Sequence, residues 1–299
     1  MNDINNPMIS VLTSCYNSES YMQRYIDTIL YQTYDNIELI LINNGSTDKT
    51  EDIILSNRHA LEKKCKKFIY IRHENVLQIG ASINDGLKHV TGTYLTWPDS
   101  DDIMYPDYLT KKVRFLEDNP QYDFCFNATD VVNENDVNLI IRQNKRVIKD
   151  EDDDKNLFED LIFSRNVLFE PIASCIRTEP FWKVVPEHQI YPGILGQNWQ
   201  FLLPMAYHYK CGYIQESLAK YVLRPTSESN KPMSFIQKNK YYYDILINTV
   251  NSIDMPQAEK VKYLFLINKM FFIKFTREFF IKCFFIRQIR NYFNSKKGH

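Results

Sequence analysis

The sequence predicts an α/β protein in which helices flank a mostly parallel sheet. Short apolar runs typical of buried strands alternate three times with segments whose apolar residues recur at helical spacing. Polar residues follow each run, as expected where strands end at one edge of such a sheet. The 299 residues, 44% of them hydrophobic, suffice for one large core with a smaller appendage.

Four strands and three helices are predicted within the first 102 residues. In order they are the strand "ISVLTS" (9–14) with a helix over 18–32, the strand "IELILI" (37–42) with a helix through Leu61, the strand "FIYIR" (68–72) with a helix through Val90, and the strand "YLTW" (94–97). Ser46 or Thr47 is expected to cap the second helix. The alternation indicates parallel pairing, because each helix returns the chain to the same end of the sheet.

Polar side chains at the carboxyl ends of these strands form a candidate site. Ligands of open α/β sheets bind at this edge. The residues concerned are Ser14, Tyr16 and Asn17, then Asn43 and Asn44, and finally Asp99 to Asp102. Topology alone therefore predicts that these groups face one ligand.

The stretch "YLTWPDSDDIMYP" (94–106) places three carboxylates directly after a strand, at Asp99, Asp101 and Asp102. Clustered carboxylates repel one another unless a cation lies between them, and a hard divalent ion such as Mg²⁺ or Mn²⁺ is a suitable partner. Such an ion commonly binds phosphate oxygens as well. The alternative is a simple turn in which Asp and Ser accept backbone hydrogen bonds.

The charge is unevenly distributed, which predicts two regions. Residues 255–299 carry ten basic residues against two glutamates, a net charge of +8, although the whole chain has −1. We therefore predict a domain over 1–230 and a helical appendage over 231–299. The six cysteines lack paired spacing, and the chain begins without a basic and apolar leader. These features indicate reduced thiols and a cytoplasmic protein.

The tail "YLFLINKMFFIKFTREFFIKCFFIRQIRNYF" (263–293) predicts an amphipathic helix. One side carries Phe265, Phe272, Phe275, Phe279, Cys283 and Ile286, with Lys274, Arg277 and Glu278 opposite and Lys269, Lys282 and Arg287 at the flanks. Such a helix suits an anionic membrane surface, so we expect peripheral contact with the inner face of the cell membrane. The alternative is packing on the first domain or on another subunit. Nucleic-acid binding is not expected, because the Phe residues follow helical spacing.

Three motifs in order resemble the large family-2 glycosyltransferases, nucleotide-sugar-dependent enzymes of the GT-A fold. They are "TSCYNSESYMQRYIDTILYQTYDNIELILINNGSTDKT" (13–50), "ENVLQIGASINDGLKHVTGTYLTWPDSDD" (74–102) and "LGQNWQFLLPMAYHYKCGYIQESLAKYVLRPTSES" (195–229). The resemblance implies that Asp99 and Asp101 are metal ligands, with Asp101 the favoured direct ligand. It also implies that Ser14, Tyr16 and Asn44 bind the nucleotide base, with Asn17 and Ser100 beside them. Arg224 falls where the family often has a polar loop near the acceptor and diphosphate, where it would reach phosphate; the alternative is an exposed turn.

The chain departs from the family at two places. Asn43 and Asn44 replace the usual acidic residues, and "GQNW" (196–199) replaces a Gly-Glu-Asp motif whose aspartate is the general base. Neither Gln197 nor Asn198 can take a proton. Three alternatives are open: the base comes from Asp130, Glu170 or Glu187; Asn198 only orients the acceptor; or the chain is inactive. If Asn198 orients the acceptor, Asn198→Asp would retain or raise turnover; if it caps a helix, it has no such role.

The expected function is that of an inverting glycosyltransferase. The resemblance implies a nucleotide-sugar donor, most simply a UDP-sugar, a divalent metal (Mn²⁺ or Mg²⁺), and a hydroxyl acceptor on a surface glycan or lipid-linked glycan. Asn198 and Gln197 would then lie at the catalytic position. The alternative is an inactive GT-A module that binds nucleotide or glycan within an assembly, which the amides at 43, 44, 197 and 198 motivate.

Overall fold

The computed structural model describes residues 6–147, 157–193, 196–225, 227 and 233–296, with backbone alone for 186 and 279–296. The chain forms two compact units, Met1–Pro232 and Met233–His299. The assignment of 1–230 and 231–299 as separate domains stays a prediction.

The first half of the larger unit contains the predicted strand and helix alternation. Its elements are β1 (Ile9–Cys15), α1 (Met22–Leu30), β2 (Ile37–Asn43), α2 (Thr50–Ser56), α3 (Arg58–Lys64), β3 (Lys67–Arg72), α4 (Ile79–Leu87) and β4 (Tyr94–Thr96). The strands lie in the order β3, β2, β1, β4, and all three pairings are parallel. All of β2 is buried, which explains why its sequence is a continuous apolar run rather than an alternating one.

The second half adds β5 (Ile103–Met104), α5 (Tyr108–Asp118), β6 (Phe124–Asn133), β7 (Asp136–Asn144), α6 (Leu157–Phe163), β8 (Ser174–Arg177), α7 (Thr178–Val184), α8 (Gln197–His208) and β9 (Cys211–Leu223). The sheet continues from β4 through β8, β6 and β9 to β5, and β7 pairs with β6. β8 is antiparallel to β4 and β6, whereas β9 is parallel to β6. The predicted α/β fold is confirmed, and its sheet is mixed.

The register of the parallel strands places their carboxyl ends at one edge. Cys15 pairs with Asn43, and Val11 pairs with Thr96. The polar residues that follow β1, β2 and β4 therefore share that edge, as their positions after the strands predict.

The turn after β2 differs from the sequence-based expectation. Gly45 has φ = +75°, and a Cβ atom there would lie 2.5 Å from the backbone of Asn75. The chain therefore turns through Gly45 before a helix can start, and α2 begins at Thr50 without a side-chain cap. The predicted cap at Ser46 or Thr47 is wrong. Ser46 instead donates its backbone N–H to Asn43 Oδ1 at 3.0 Å.

The cysteines are free and buried, as predicted, at Cys15, Cys65, Cys125, Cys175 and Cys211. Cys283 lies outside the described side chains. Their burial in the larger unit agrees with a role as small apolar core residues.

The second unit is a pair of helices, α9 (Phe235–Ser252) and α10 (Gln257–Lys296). Ser234 and Gln237 form a capping box at the start of α9. The buried face of α10 carries Ile267 and Phe271, and the Phe271 ring lies 5.3 Å from that of Tyr243 on α9. Among the described residues, no helix is both long and apolar enough to cross a bilayer.

Candidate functional site

The loop after β4 brings three carboxylates together at the carboxyl edge of the sheet. Oxygen atoms of Asp99, Asp101 and Asp102 all lie within 4.8 Å of one another. The Thr13 hydroxyl donates to the Pro98 carbonyl oxygen at 2.8 Å and fixes the start of this carboxylate loop. Burial and the charge of Asp101 raise the pKa of Asp99 to about 7. Because the carboxylates repel one another, the loop favours a cationic ligand.

Asp102 is the most enclosed of the three carboxylates, with 1% of its surface exposed. Its Oδ1 accepts the backbone N–H of Val222 at 3.0 Å, whereas its Oδ2 is buried without a hydrogen-bond partner among the described residues. Burial and the charges of Asp101 and Asp99 raise the pKa of Asp102 well above its usual value. An orphaned carboxylate oxygen beside two more carboxylates fits a hard divalent cation. Asp99 and Asp101 as ligands stay a prediction, and Asp102 offers a third oxygen.

Two guanidinium groups contact Asp101 in this loop. Arg224 Nε donates to Asp101 Oδ2 at 2.6 Å, and the Arg224 guanidinium lies 4.2 Å from the centre of the Tyr21 ring. Arg24 of α1 donates to the Asp101 carbonyl oxygen at 2.7 Å. Arg24 was missed from the sequence, because a single basic residue on an amphipathic helix carries no local signal. Guanidinium groups next to a carboxylate loop that can bind a metal ion are well placed to bind the phosphate oxygens of a diphosphate.

Four predicted nucleotide-binding residues lie at the same edge: Ser14, Tyr16, Asn17 and Ser100. The Ser14 and Ser82 hydroxyls are 2.8 Å apart, which joins β1 to α4. Asn17, at φ = +47°, accepts the backbone N–H of Thr47 through its amide oxygen at 2.9 Å. Ser100 is buried, and the Tyr16 side chain is 37% exposed. Tyr16 therefore presents an aromatic ring on which a base can stack.

Both polar atoms of the Asn44 side chain form hydrogen bonds within the protein. Its Nδ2 donates to the Leu77 carbonyl oxygen at 3.0 Å, and its Oδ1 accepts the Leu77 N–H at 3.0 Å. His73 Nδ1 lies 2.9 Å from the same Oδ1. The Asn44 amide therefore holds the loop that leads into α4, and its role in base binding stays a prediction.

Gln197 and Asn198 open α8, and the helix cap before them is Gly196, at φ = +78°. The interpretation of Asn198 as a helix cap is therefore wrong. Asn198 Oδ1 accepts the indole N–H of Trp97 at 2.7 Å, and its Nδ2 donates to the Phe169 carbonyl oxygen at 2.6 Å. Asn198 thereby links the start of the carboxylate loop to the segment before β8. Among the described residues, none forms a hydrogen bond or ion pair with the side chain of Gln197.

The three carboxylates considered as bases have different surroundings. Both oxygens of Asp130 are occupied, by the Tyr105 hydroxyl at 2.6 Å and by Gln143 Nε2 at 2.9 Å. Glu187 is exposed, in a turn where its φ is +59°. Glu170 is half-buried, its Oε1 accepts a hydrogen bond from Asn144, and its Oε2 is buried with no partner among the described residues.

The strand order β3, β2, β1, β4, with a carboxylate loop after β4, is the arrangement expected of a GT-A fold. Residues 10–184 match the family described as Glycosyl transferase family 2. The chain belongs to this family, whose members are transferases.

Relatives and solved structures agree with this assignment. An uncharacterized glycosyltransferase of Rickettsia prowazekii is 37% identical over 114 residues, which are 38% of this chain and 33% of the relative. The chain thus matches about a third of that relative's length. An uncharacterized glycosyltransferase of Methanocaldococcus jannaschii is 27% identical over 246 residues, 80% of this chain and 78% of the relative.

Two solved structures share the fold. Staphylococcus aureus TarS 1–349 in complex with UDP-GlcNAc has a TM-score of 0.63 and 16% identity, over 86% of this chain and 70% of TarS 1–349. The mannosyltransferase PcManGT of Pyrobaculum calidifontis, in complex with GDP-Man and Mn²⁺, has a TM-score of 0.53 and 14% identity, over 88% of this chain and 69% of PcManGT. At these identities the likeness establishes the fold alone.

Proposed function

We propose that this chain transfers a sugar, with inversion at the anomeric carbon, from a UDP-sugar to a hydroxyl of a surface glycan or lipid-linked glycan. The observation that carries the proposal is the carboxylate loop with two guanidinium groups, at the sheet edge that also carries the exposed Tyr16 ring. Structures of the same fold contain UDP-GlcNAc in one case and GDP-Man with Mn²⁺ in the other.

The carboxylate loop and its arginines bind the diphosphate in this proposal. Asp99 and Asp101 hold Mn²⁺ or Mg²⁺, with Asp102 as a further oxygen donor. A divalent ion bound there would stabilise the negative charge that builds on a departing nucleoside diphosphate. Arg224 and Arg24 lie next to Asp101, so their guanidinium groups neutralise phosphate oxygens without any proton transfer.

The remaining edge residues bind the nucleoside and position the acceptor. Tyr16 stacks on the base, while Ser14, Asn17, Asn44 and Ser100 shape the surrounding surface. Asn198 and Gln197 lie at the acceptor side, where Asn198 orients rather than deprotonates the hydroxyl.

Calorimetry and turnover test the proposal together. We expect UDP to bind in the presence of Mn²⁺ and to lose that binding in EDTA, because the carboxylates repel the diphosphate when no cation lies between them. Steady release of UDP from a panel of UDP-sugars, with octyl glycosides as acceptors, would establish the enzyme. Metal-dependent binding without turnover would instead favour the inactive binding module, and a preference for GDP would correct the donor class.

We further propose that α10 contacts an anionic membrane surface, where a lipid-linked acceptor would be found. One face of α10 carries the exposed side chains of Val261, Phe265 and Phe272, the last two 64% and 69% exposed. The opposite face carries Ile267 and Phe271 and is buried. The face that carries Val261, Phe265 and Phe272 therefore has no packing partner among the described residues. The net charge of +8 over 255–299 complements anionic lipid.

Vesicle sedimentation tests the membrane contact. We expect the protein to sediment with phosphatidylglycerol vesicles and to be released by salt, because screening weakens the attraction. A double substitution, Phe265→Ser with Phe272→Ser, should reduce the bound fraction. Tyr31→Ser is the matched control, since Tyr31 is 74% exposed on the larger unit. Equal sedimentation of all three proteins would contradict the proposal.

A further inference from the structure

The proposed transfer requires that the acceptor hydroxyl lose a proton as it attacks the sugar. The two residues at the position of the family's base are amides, and an amide cannot take that proton. The proton must therefore go to another group near the carboxylate loop. Asp130 has both carboxylate oxygens hydrogen-bonded, and Glu187 is on the exposed surface.

Glu170 combines an anchored oxygen with an unpaired one. Asn144 of β7 donates to Oε1 and fixes the carboxylate, whereas Oε2 is buried without a hydrogen-bond partner among the described residues. An unpaired buried carboxylate oxygen is unfavourable, and a ligand, an ordered water or an ion can supply its partner.

Glu170 is linked both to Asn198, at the position of the family's base, and to the carboxylate loop. The preceding residue, Phe169, accepts the Asn198 amide through its carbonyl oxygen at 2.6 Å, so Glu170 lies next to the position of the family's base. The charge of Glu170 also reaches the carboxylate loop: burial, Asp101, Asp99 and, to a smaller extent, Glu170 raise the pKa of Asp102. Burial and the charges of Asp102, Asp99, Glu170 and Asp101 likewise raise the pKa of Tyr221, the neighbour of Val222 on β9.

A polar cleft adjoins Glu170. Its volume is about 310 Å³, comparable to small ligand sites. The lining includes Gln143, Asn144, Ser164, Asn166, Phe169 and Glu170. The amide donors of Gln143, Asn144 and Asn166 already bind Asp130, Glu170 and Val147. The Gln143 amide oxygen, the Ser164 hydroxyl and the ammonium group of Lys145, which also lines the cleft, are groups that can hydrogen-bond to a sugar.

We propose that Glu170 is the general base of this chain and that the cleft beside it receives the acceptor sugar; both roles rest on the proposed transfer reaction. Glu170 takes the proton of the acceptor hydroxyl while the acceptor oxygen bonds to the anomeric carbon. The bond from that carbon to the diphosphate oxygen breaks, and the nucleoside diphosphate leaves with the electron pair. The proton on Glu170 passes to solvent after the product departs.

The test compares Glu170→Gln with Glu187→Gln. Gln keeps the shape of the side chain and an oxygen for Asn144, so we expect the fold and the melting temperature to be retained. We expect Glu170→Gln to lower turnover of UDP-sugar with octyl glycosides by about 10²–10⁴-fold. UDP affinity in Mn²⁺ should not change. Glu187→Gln should behave as the unmodified protein.

The outcomes separate the two proposals. Glu170→Gln turnover equal to that of Glu187→Gln would overturn the role of Glu170 and leave the transfer reaction intact. A parallel loss of UDP affinity and of melting temperature in Glu170→Gln would reassign Glu170 as a structural residue. Absence of turnover in the unmodified protein, with transfer and hydrolysis both measured, would overturn the transferase proposal and the base with it. Glu170→Asp, which keeps a proton acceptor, should retain more turnover than Glu170→Gln.

Discussion

Replacing Asp101 by Asn should abolish the metal dependence of UDP binding and lower turnover by about 10²–10³-fold or more, the effect of removing a group that stabilises the developing charge. Asp101 is the predicted direct ligand, and its oxygens lie within 4.8 Å of those of Asp99 and Asp102. Asn removes one negative charge without changing the size of the side chain. The cation would then have fewer charged donors, so it should bind more weakly.

The substitution is chosen so that the fold is preserved. Asn keeps a carbonyl oxygen, which can still accept the hydrogen bond that Arg224 Nε donates at 2.6 Å. Asp107→Asn is the matched control, because Asp107 is a half-exposed carboxylate on the same stretch of chain that pairs with Lys111. Titration of UDP in Mn²⁺ and in EDTA, for both variants, measures the effect. Unchanged metal-dependent binding in Asp101→Asn would contradict the assignment of Asp101 as a ligand.

Replacing Asn198 by Asp should lower both turnover and stability, contrary to the sequence-based expectation that an acid at this position restores a base. Asn198 Nδ2 donates to the Phe169 carbonyl oxygen at 2.6 Å, so Asp would place two oxygens against each other there. The lost hydrogen bond and the repulsion should cost about 1–3 kcal/mol. Phe169 would shift and displace Glu170, which reduces turnover through positioning.

A matched substitution separates the two effects. Asn119→Asp creates the same conflict with a backbone carbonyl, because Asn119 Nδ2 donates to the Phe115 carbonyl oxygen at 2.8 Å at the end of α5, outside the candidate site. Both variants should lose stability, whereas turnover per folded molecule should fall only in Asn198→Asp. Melting temperature and UDP release measure the two quantities. An Asn198→Asp protein that is more active than the unmodified chain would show that the carboxylate serves as a base there.

The side-chain amides explain why the sequence was ambiguous about activity. The substitutions of acids by amides at 44 and 198 suggested a loss of chemistry. The structure shows that both amides cross-link backbone segments, Asn44 to Leu77 and Asn198 to Phe169. Such a link needs a donor and an acceptor in one side chain, which an amide has and a carboxylate lacks. The amides are therefore consistent with an intact structure around the site.

The sequence by itself determined the α/β class, the succession of the first strands and helices along the chain, and the place of the carboxylate loop. These features depend on hydrophobic periodicity and on the rule that parallel strands end at one edge, both of which are read over a few neighbouring residues. The sequence did not determine that the sheet continues through antiparallel pairings, because β8 pairs with both β4 and β6 across long connections. Pairing between distant segments has no local signal.

Only the tertiary structure decided which groups meet at the site. Asp101 and Arg224 are separated by 123 residues, and Trp97 and Asn198 by 101, yet each pair is hydrogen-bonded. The same holds for Glu170, whose free oxygen is evident only once Asn144 and the surrounding burial are known. A carboxylate's role depends on its partners and on its solvation, and folding rather than residue type sets both.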